Sequence, residues 1–218
     1  MTISINLCFH GIGTCRQERE PGEAEYWIAE DLFLRVLDTV ADRPQVRLSF
    51  DDGNRSDIEI GFPALSERGL SADFFVLAGR LDDPKSLDPG ELKTLHAAGM
   101  RIGSHGWKHV PWQRLEHEQA QREFIDARTA LREASGAPIE DAAAPLGRYD
   151  RASLGALRRA GYRTVFTSDR FRARSDAWLQ PRYSLTARDT IESVTRMLDH
   201  SGIREGRNRL ASIVKRWR

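Results

Sequence analysis

Short apolar runs alternate along the chain with longer segments of helical spacing, the rhythm of repeated β/α units. Residues 3–9 alternate apolar and polar positions and break at His10-Gly11-Ile12-Gly13, which predicts a strand and a loop. Residues 27–40 carry Ile28, Leu32, Leu34, Val36 and Leu37 at mixed helical intervals, and Pro44 stops the pattern before a second strand at 46–50. A helix is expected over 58–68, with Pro63 as a local irregularity and Gly69 as its cap, then a strand over 72–78.

Asp88-Pro89-Gly90-Glu91 combines an N-cap, a first-turn proline and an acid for the positive helix end. That helix runs to Gly99 and is followed by a strand at 100–103. The longest helix is expected over 113–134, where Leu115, Ala120, Phe124, Ala127 and Leu131 form one stripe; Gly136 and Pro138 end it. A strand at 142–144, a helix at 152–160, a strand at 163–167 and a helix at 191–200 complete the series. Such alternation implies a parallel sheet, open or rolled into a barrel, with function at the C-terminal strand ends. No repeat or low-complexity linker interrupts it, so one domain is expected over 1–218, with 205–218 a basic C-terminal helix or tail.

Composition narrows the class. The 218 residues are 40% hydrophobic and 30% charged, enough for one globular core. Lys plus Arg number 33 against 32 acids, a net charge of +1 that carries no nucleic-acid signature. No apolar stretch reaches the roughly 18 residues of a membrane helix, and the start lacks the pattern of a signal peptide, so a soluble cytoplasmic protein is expected. Cys8 and Cys15 read as two reduced thiols.

Two strand exits carry the chemistry. Strand 46–50 runs into Asp51-Asp52-Gly53, and strand 100–103 into Ser104-His105-Gly106-Trp107-Lys108-His109. Two histidines four apart can grip one ion, and with one carboxylate they leave a coordination position open, the pattern of a catalytic metal site. Consecutive side chains on an extended segment diverge, so the two aspartates are expected to divide the work. Asp52 joins His105 and His109 as metal ligands, and Asp51 is the general base toward metal-activated water. One divalent ion is expected, zinc first, with cobalt, nickel, iron or manganese as alternatives.

Residues 48–53 (LSFDDG) and 104–109 (SHGWKH) resemble the first two motifs of the polysaccharide deacetylases, the NodB-homology carbohydrate esterases. The resemblance extends through 65–77, 92–109 and the third motif Ala143-Ala144-Pro145-Leu146-Gly147, over roughly residues 45–185. It implies an α/β fold, a distorted (β/α) barrel, and hydrolysis of an N- or O-acetyl group from a sugar, N-acetyl first. It also implies the same roles for Asp51, Asp52, His105 and His109.

Departures from the family pattern point to further residues. The arginine that opens the third motif is replaced by Ala143; members with an alanine-type third motif are similar in having a Pro-Arg after the fourth region, so the resemblance implies Arg182 in Gln180-Pro181-Arg182-Tyr183 as the substitute, a guanidinium able to fork onto Asp51 from another strand. Leu146 stands at the motif's aromatic position, so its backbone N–H is what remains to stabilise an oxyanion. Leu198-Asp199-His200 has the letters of the usual C-terminal Leu-x-His motif but falls at a helix end. His10, after the first strand, resembles the N-terminal histidine of circularly rearranged members and is preferred over His200 as general acid. Trp107, Pro145, Asp169 and Trp178 are candidate substrate contacts, and Trp112 offers another stacking face.

Residues 204–218 hold six basic side chains against Glu205, a local balance of +5, opposite Leu210, Ile213, Val214 and Trp217. The segment either packs on its own domain or lies on an acidic membrane, bringing the enzyme to a lipid-linked glycan. The expected partner is an acetylated sugar or glycan precursor, without nucleic acid; the oligomeric state is open. Two rivals share the fold: a non-catalytic carbohydrate-binding scaffold, and a metal hydrolase of other non-peptide C–N bonds.

Overall fold

The computed structural model describes residues 2–199 and 203–217. Seven parallel strands close into a barrel: β1 (Ile3–Phe9), β2 (Val46–Asp52), β3 (Ala72–Val76), β4 (Arg101–Ser104), β5 (Asp141–Ala143), β6 (Thr164–Thr167) and β7 (Leu179–Ser184). They pair in chain order, and β7 returns to β1 in the register Asn6↔Arg182 and Cys8↔Ser184. The short strand Ala173–Arg174 runs antiparallel beside β1. The architecture is the distorted (β/α) barrel expected from the sequence.

The alternation in β1 and β2 has a specific cause. Leu7, Phe9, Leu48 and Phe50 join the buried cluster under the outer helices, whereas the residues between them enter a polar lumen. There Asn6 Nδ2 donates to Gln180 Oε1 at 3.1 Å and Ser49 Oγ donates to the Leu7 carbonyl at 3.1 Å. Phe75, Ala143 and Phe166 form an apolar floor across the lumen. Function is therefore raised to the C-terminal mouth, above that plug.

Helices α1 (Glu30–Val40), α2 (Phe62–Glu67), α3 (Pro89–Ala97), α4 (His117–Gln121), α5 (Ala127–Ser135), α6 (Arg151–Arg159), α7 (Ile191–Asp199) and α8 (Ile203–Trp217) surround the barrel. In α1 the buried side chains Leu32, Phe33, Val36, Leu37 and Val40 repeat at helical intervals and cover β1 and β2. Asp88 and Glu91 form a reciprocal capping box, both bonds 2.9 Å, which starts α3.

Several expected boundaries move. Trp27–Ile28 is a strand paired with Gly11–Ile12, so the helix of 27–40 begins only at Glu30. The helix of 113–134 starts at His117 and passes through a π-helical turn, Arg122–Asp126, into α5. The helix of 58–68 likewise opens with π-helical Asp57–Gly61, and Pro63 follows that turn within one continuous helical run. Strand β7 adds to the expected series. Pro181 and its polar neighbours hide it, because half of its side chains face the polar lumen. His200 lies outside the described residues.

Candidate active site

At the mouth of the barrel Asp51 ends the inward-facing row of β2. Arg182, from β7, which β1 alone separates from β2, donates to both its oxygens at 2.6 Å and to Ser49 Oγ at 3.1 Å. Both partners are buried, and the Arg182 guanidinium lies over the Phe75 and Phe166 rings that floor the lumen. Burial alone would raise the Asp51 carboxyl, but Arg182 and His105 hold it well below the usual carboxylate range. Asp51 is thus a fixed, ionised carboxylate.

Asp52 leaves the strand's pleat through a left-handed φ of 76°, which lets its carboxylate reach the imidazole that Asp51 also faces. Gly53 follows at φ 67°, and a Cβ there would crowd Val76 at 3.0 Å. His105 follows β4 and its Nδ1 donates to the Ala143 carbonyl at 2.9 Å. Ala143 therefore contributes its backbone to the site. His109, at φ 57°, has Nδ1 2.6 Å from Glu20 Oε2. Both imidazoles thereby present Nε2 toward Asp52 Oδ1, at 3.6 Å from His105 and 3.5 Å from His109.

The ligand atoms of Asp52, His105 and His109 lie within 4.8 Å of one another. Two ligands each about 2.1 Å from one tetrahedral zinc would stand about 3.4 Å apart. Asp52 Oδ1 and His105 Nε2 are buried without a hydrogen-bond partner, an arrangement whose cost an ion between them would remove. The residues present fit a divalent metal. Burial brings His105 down to about 4, so its imidazole is neutral and ready to coordinate. Cys8, His10 and Asp51 are also close together, but Asp51 is occupied by Arg182 and burial pushes the Cys8 thiol well up. That trio is the poorer ligand set.

His10 Nε2 stands 4.0 Å from Asp51 Oδ2, with its ring 4.8 Å from that of Tyr26. Burial lowers its pKa against the pull of Asp51 and Asp52. A pocket of about 170 Å³ opens here, lined by His10, Asp51, Asp52, His109, Leu146 and Arg170 among others. Among the described residues, five non-glycines adopt left-handed backbone, and Asp52, His109, Leu146 and Arg170 of these line this pocket. Strain concentrated in this way marks a site whose geometry is imposed by its surroundings.

Other sequence candidates lie elsewhere. Trp178 is outside the pocket lining: its Nε1–H donates to the Tyr162 carbonyl at 2.9 Å and Arg158 covers its ring. Trp107 is also outside, with Arg122 stacked 3.4 Å from its ring centre and its carbonyl accepting from Gly79. Trp112 is fully buried against Phe124. Pro145 is buried beside Leu146, which is itself 52% exposed in the pocket. Asp169 is buried and committed to Tyr149, Thr167 and Lys215. These placements remove stacking tryptophans from the pocket wall.

Sequence reasoning missed Glu20, Arg80 and Glu123. Glu20 pairs with Arg80 as well as His109, in a segment of mixed charge without periodicity. Glu123 is buried in the π-helical turn and accepts from the N–H groups of Trp107 (2.8 Å) and Lys108 (3.1 Å). It holds the loop between the two histidines. Gly106 stands at φ 85°, and a Cβ there would meet the Glu123 carboxylate at 2.2 Å, so a side chain would strain the backbone and displace Glu123 from the loop.

Comparison with known proteins gives one consistent result. The polysaccharide deacetylase family profile matches residues 39–165, more than half the chain. YxkH of Bacillus subtilis (strain 168), assigned to the polysaccharide deacetylases, is 25% identical over 124 residues, which are 57% of this chain but 44% of that one. The chain thus spans under half the length of that curated relative. Among solved structures, BA0330 of Bacillus anthracis, with the same assignment, has a TM-score of 0.80 at 15% identity, over 91% of this chain and 69% of that chain. The Streptococcus pyogenes deacetylase PplD in complex with acetate has a TM-score of 0.79 at 19% identity, over 91% and 99% of the two chains.

Proposed function

Since the chain belongs to the polysaccharide deacetylase family, we propose that it is a metal-dependent hydrolase that removes acetyl groups, N-acetyl in preference to O-acetyl, from a sugar or glycan precursor. The observation that carries the reading is the Arg182-held Asp51 carboxylate beside the Asp52, His105 and His109 trio, at the mouth of one pocket. The acetate bound to PplD adds support from a protein of the same fold.

Asp52, His105 and His109 would hold the metal, zinc first. When bound, a divalent ion supplies Lewis acidity toward water and the acyl oxygen. Asp51 accepts the proton of the attacking water; Arg182 fixes its direction and keeps it ionised. The Leu146 N–H donates to the acyl oxygen as charge develops on it. His10 donates a proton to the departing nitrogen, a step that an amide needs far more than an ester does.

Acetate release from a panel of N- and O-acetylated sugars tests the reading. Acetate from an N-acetyl sugar is expected, whereas a ring-opened product, or binding without turnover, replaces it with one of its rivals. His10→Ala is expected to slow an amide substrate about 100- to 10,000-fold while an activated acetate ester falls much less; equal losses remove His10 from the acid's role. Glu20→Gln is expected to weaken metal binding about 10- to 100-fold, read by competition with a chromophoric chelator. Unchanged affinity would separate Glu20 from the orientation of His109.

A further inference from the structure

Helix α8 is docked the wrong way round for a helix that completes a core. Its contacts with the barrel are polar: Glu205 accepts from the Tyr183 hydroxyl, Asn208 Nδ2 donates to the Arg170 carbonyl at 3.0 Å, and buried Ser212 meets Tyr149 Oη at 3.0 Å. Lys215 Nζ donates to Asp169 at 2.6 Å and to the Gly147 carbonyl at 3.0 Å. These residues recur at intervals of 3, 4 and 3 and occupy one face.

The opposite face is apolar and points to solvent. Leu210 is 65% exposed, Ile213 40%, Val214 49% and Trp217 75%, a stripe at i, i+3, i+4 and i+7. These are four of the eight exposed large hydrophobics among the described residues, so the patch is concentrated on one helix face. At 100° per residue, Arg207 falls on one flank of the stripe and Arg209 and Arg216 on the other, all exposed. The flanks lack an acid, because Glu205 is turned toward Tyr183 and Arg172.

We propose that α8 is a membrane-docking helix whose exposed stripe enters the surface of an anionic lipid bilayer. Charge complementarity selects this occupant: an apolar stripe flanked by Arg207 on one side and by Arg209 and Arg216 on the other matches a layer of anionic headgroups above acyl chains. Trp217 is suited to that boundary, since its ring is apolar and its N–H is polar. No described helix is long and apolar enough to cross a membrane, so the contact is peripheral. The docked face holds the Arg170 and Gly147 carbonyls, next to the pocket rim formed in part by Leu146 and Arg170, so α8 lies close to the mouth. Docking is independent of which bond the pocket cleaves.

The test is flotation of the full chain with vesicles of phosphatidylcholine alone and with 30% phosphatidylglycerol, at low and high salt, alongside its mass in solution. At least tenfold stronger binding to the anionic vesicles is expected, weakened by salt. Loss by tenfold or more is expected in Leu210→Glu/Trp217→Glu and, on anionic vesicles, in Arg207→Glu/Arg216→Glu. Both double variants alter exposed side chains, and far-UV circular dichroism checks that they fold. Absence of vesicle binding by the folded wild type overturns the proposal. So does binding that the Leu210/Trp217 variant retains. A wild-type dimer that ignores vesicles, and that this variant converts to monomer, would assign the stripe to a second copy instead.

Discussion

Asp51→Asn is expected to lower acetate release about 100- to 10,000-fold while leaving one equivalent of metal bound with affinity within about tenfold of wild type. The carboxylate that accepts the proton is replaced by an amide of the same shape that cannot. Asp52, His105 and His109 are untouched, and their orientation comes from a left-handed backbone turn, the Ala143 carbonyl and Glu20. The contrasting variant is Asp52→Asn, for which metal binding and turnover should fall together. Loss of metal from Asp51→Asn would show that the aspartates divide their work differently. Because the substitution also strands Arg182, both variants are compared at a temperature where circular dichroism shows them folded.

The second large effect is on stability. Arg182 and Asp51 are 0% and 2% exposed, so removal of either leaves an ion in the lumen without its partner. Arg182→Met is expected to cost about 3–5 kcal/mol, measured by urea denaturation of the metal-free protein. In the wild type the folded-state pKa of Asp51 lies below its unfolded value of about 3.9. The pair's stabilisation is therefore present above that value and lost as pH falls through the folded pKa. Without Arg182, burial dominates and raises the Asp51 pKa, so its penalty is full at neutral pH and fades on acidification. The difference between wild type and Arg182→Met should accordingly narrow as pH falls from 7 toward about 4. Adding Asp51→Asn to Arg182→Met should recover most of the loss, since neither charge then remains. A pH-independent, additive deficit would mean that the fork contributes packing alone.

The residues legible in the sequence were those whose pattern is local. β1 and β2 announce themselves because outward Leu and Phe alternate with inward Asn, Cys, Ser and Asp. Asp51, Asp52, His105 and His109 stand at or just past the ends of β2 and β4, so strand-exit reasoning points to them. Arg182 could be named from a family resemblance, but not its strand: a run of Gln, Pro, Arg, Tyr and Ser shows neither alternation nor an apolar core.

Glu20 and Glu123 act over sequence separations of 89 and 16 residues onto the loop that carries the histidines. No local signal marks them. The tryptophans failed as pocket residues for a related reason. Composition offers Trp as a sugar platform, while the fold uses Trp112 as core and covers Trp107 and Trp178 with arginines. Helix α8 shows the converse, because its amphipathic pattern was visible but only the docked polar face reveals which side is free.

The most direct test of the central claim is a titration of chelator-treated protein with Zn²⁺, following bound metal and acetate release from an N-acetylated sugar in the same samples. The account predicts no acetate without metal, then turnover that rises in step with occupancy and saturates at one equivalent; His109→Ala should bind far more weakly. Full turnover in the metal-free protein, or no stoichiometric binding by folded wild type, would contradict it.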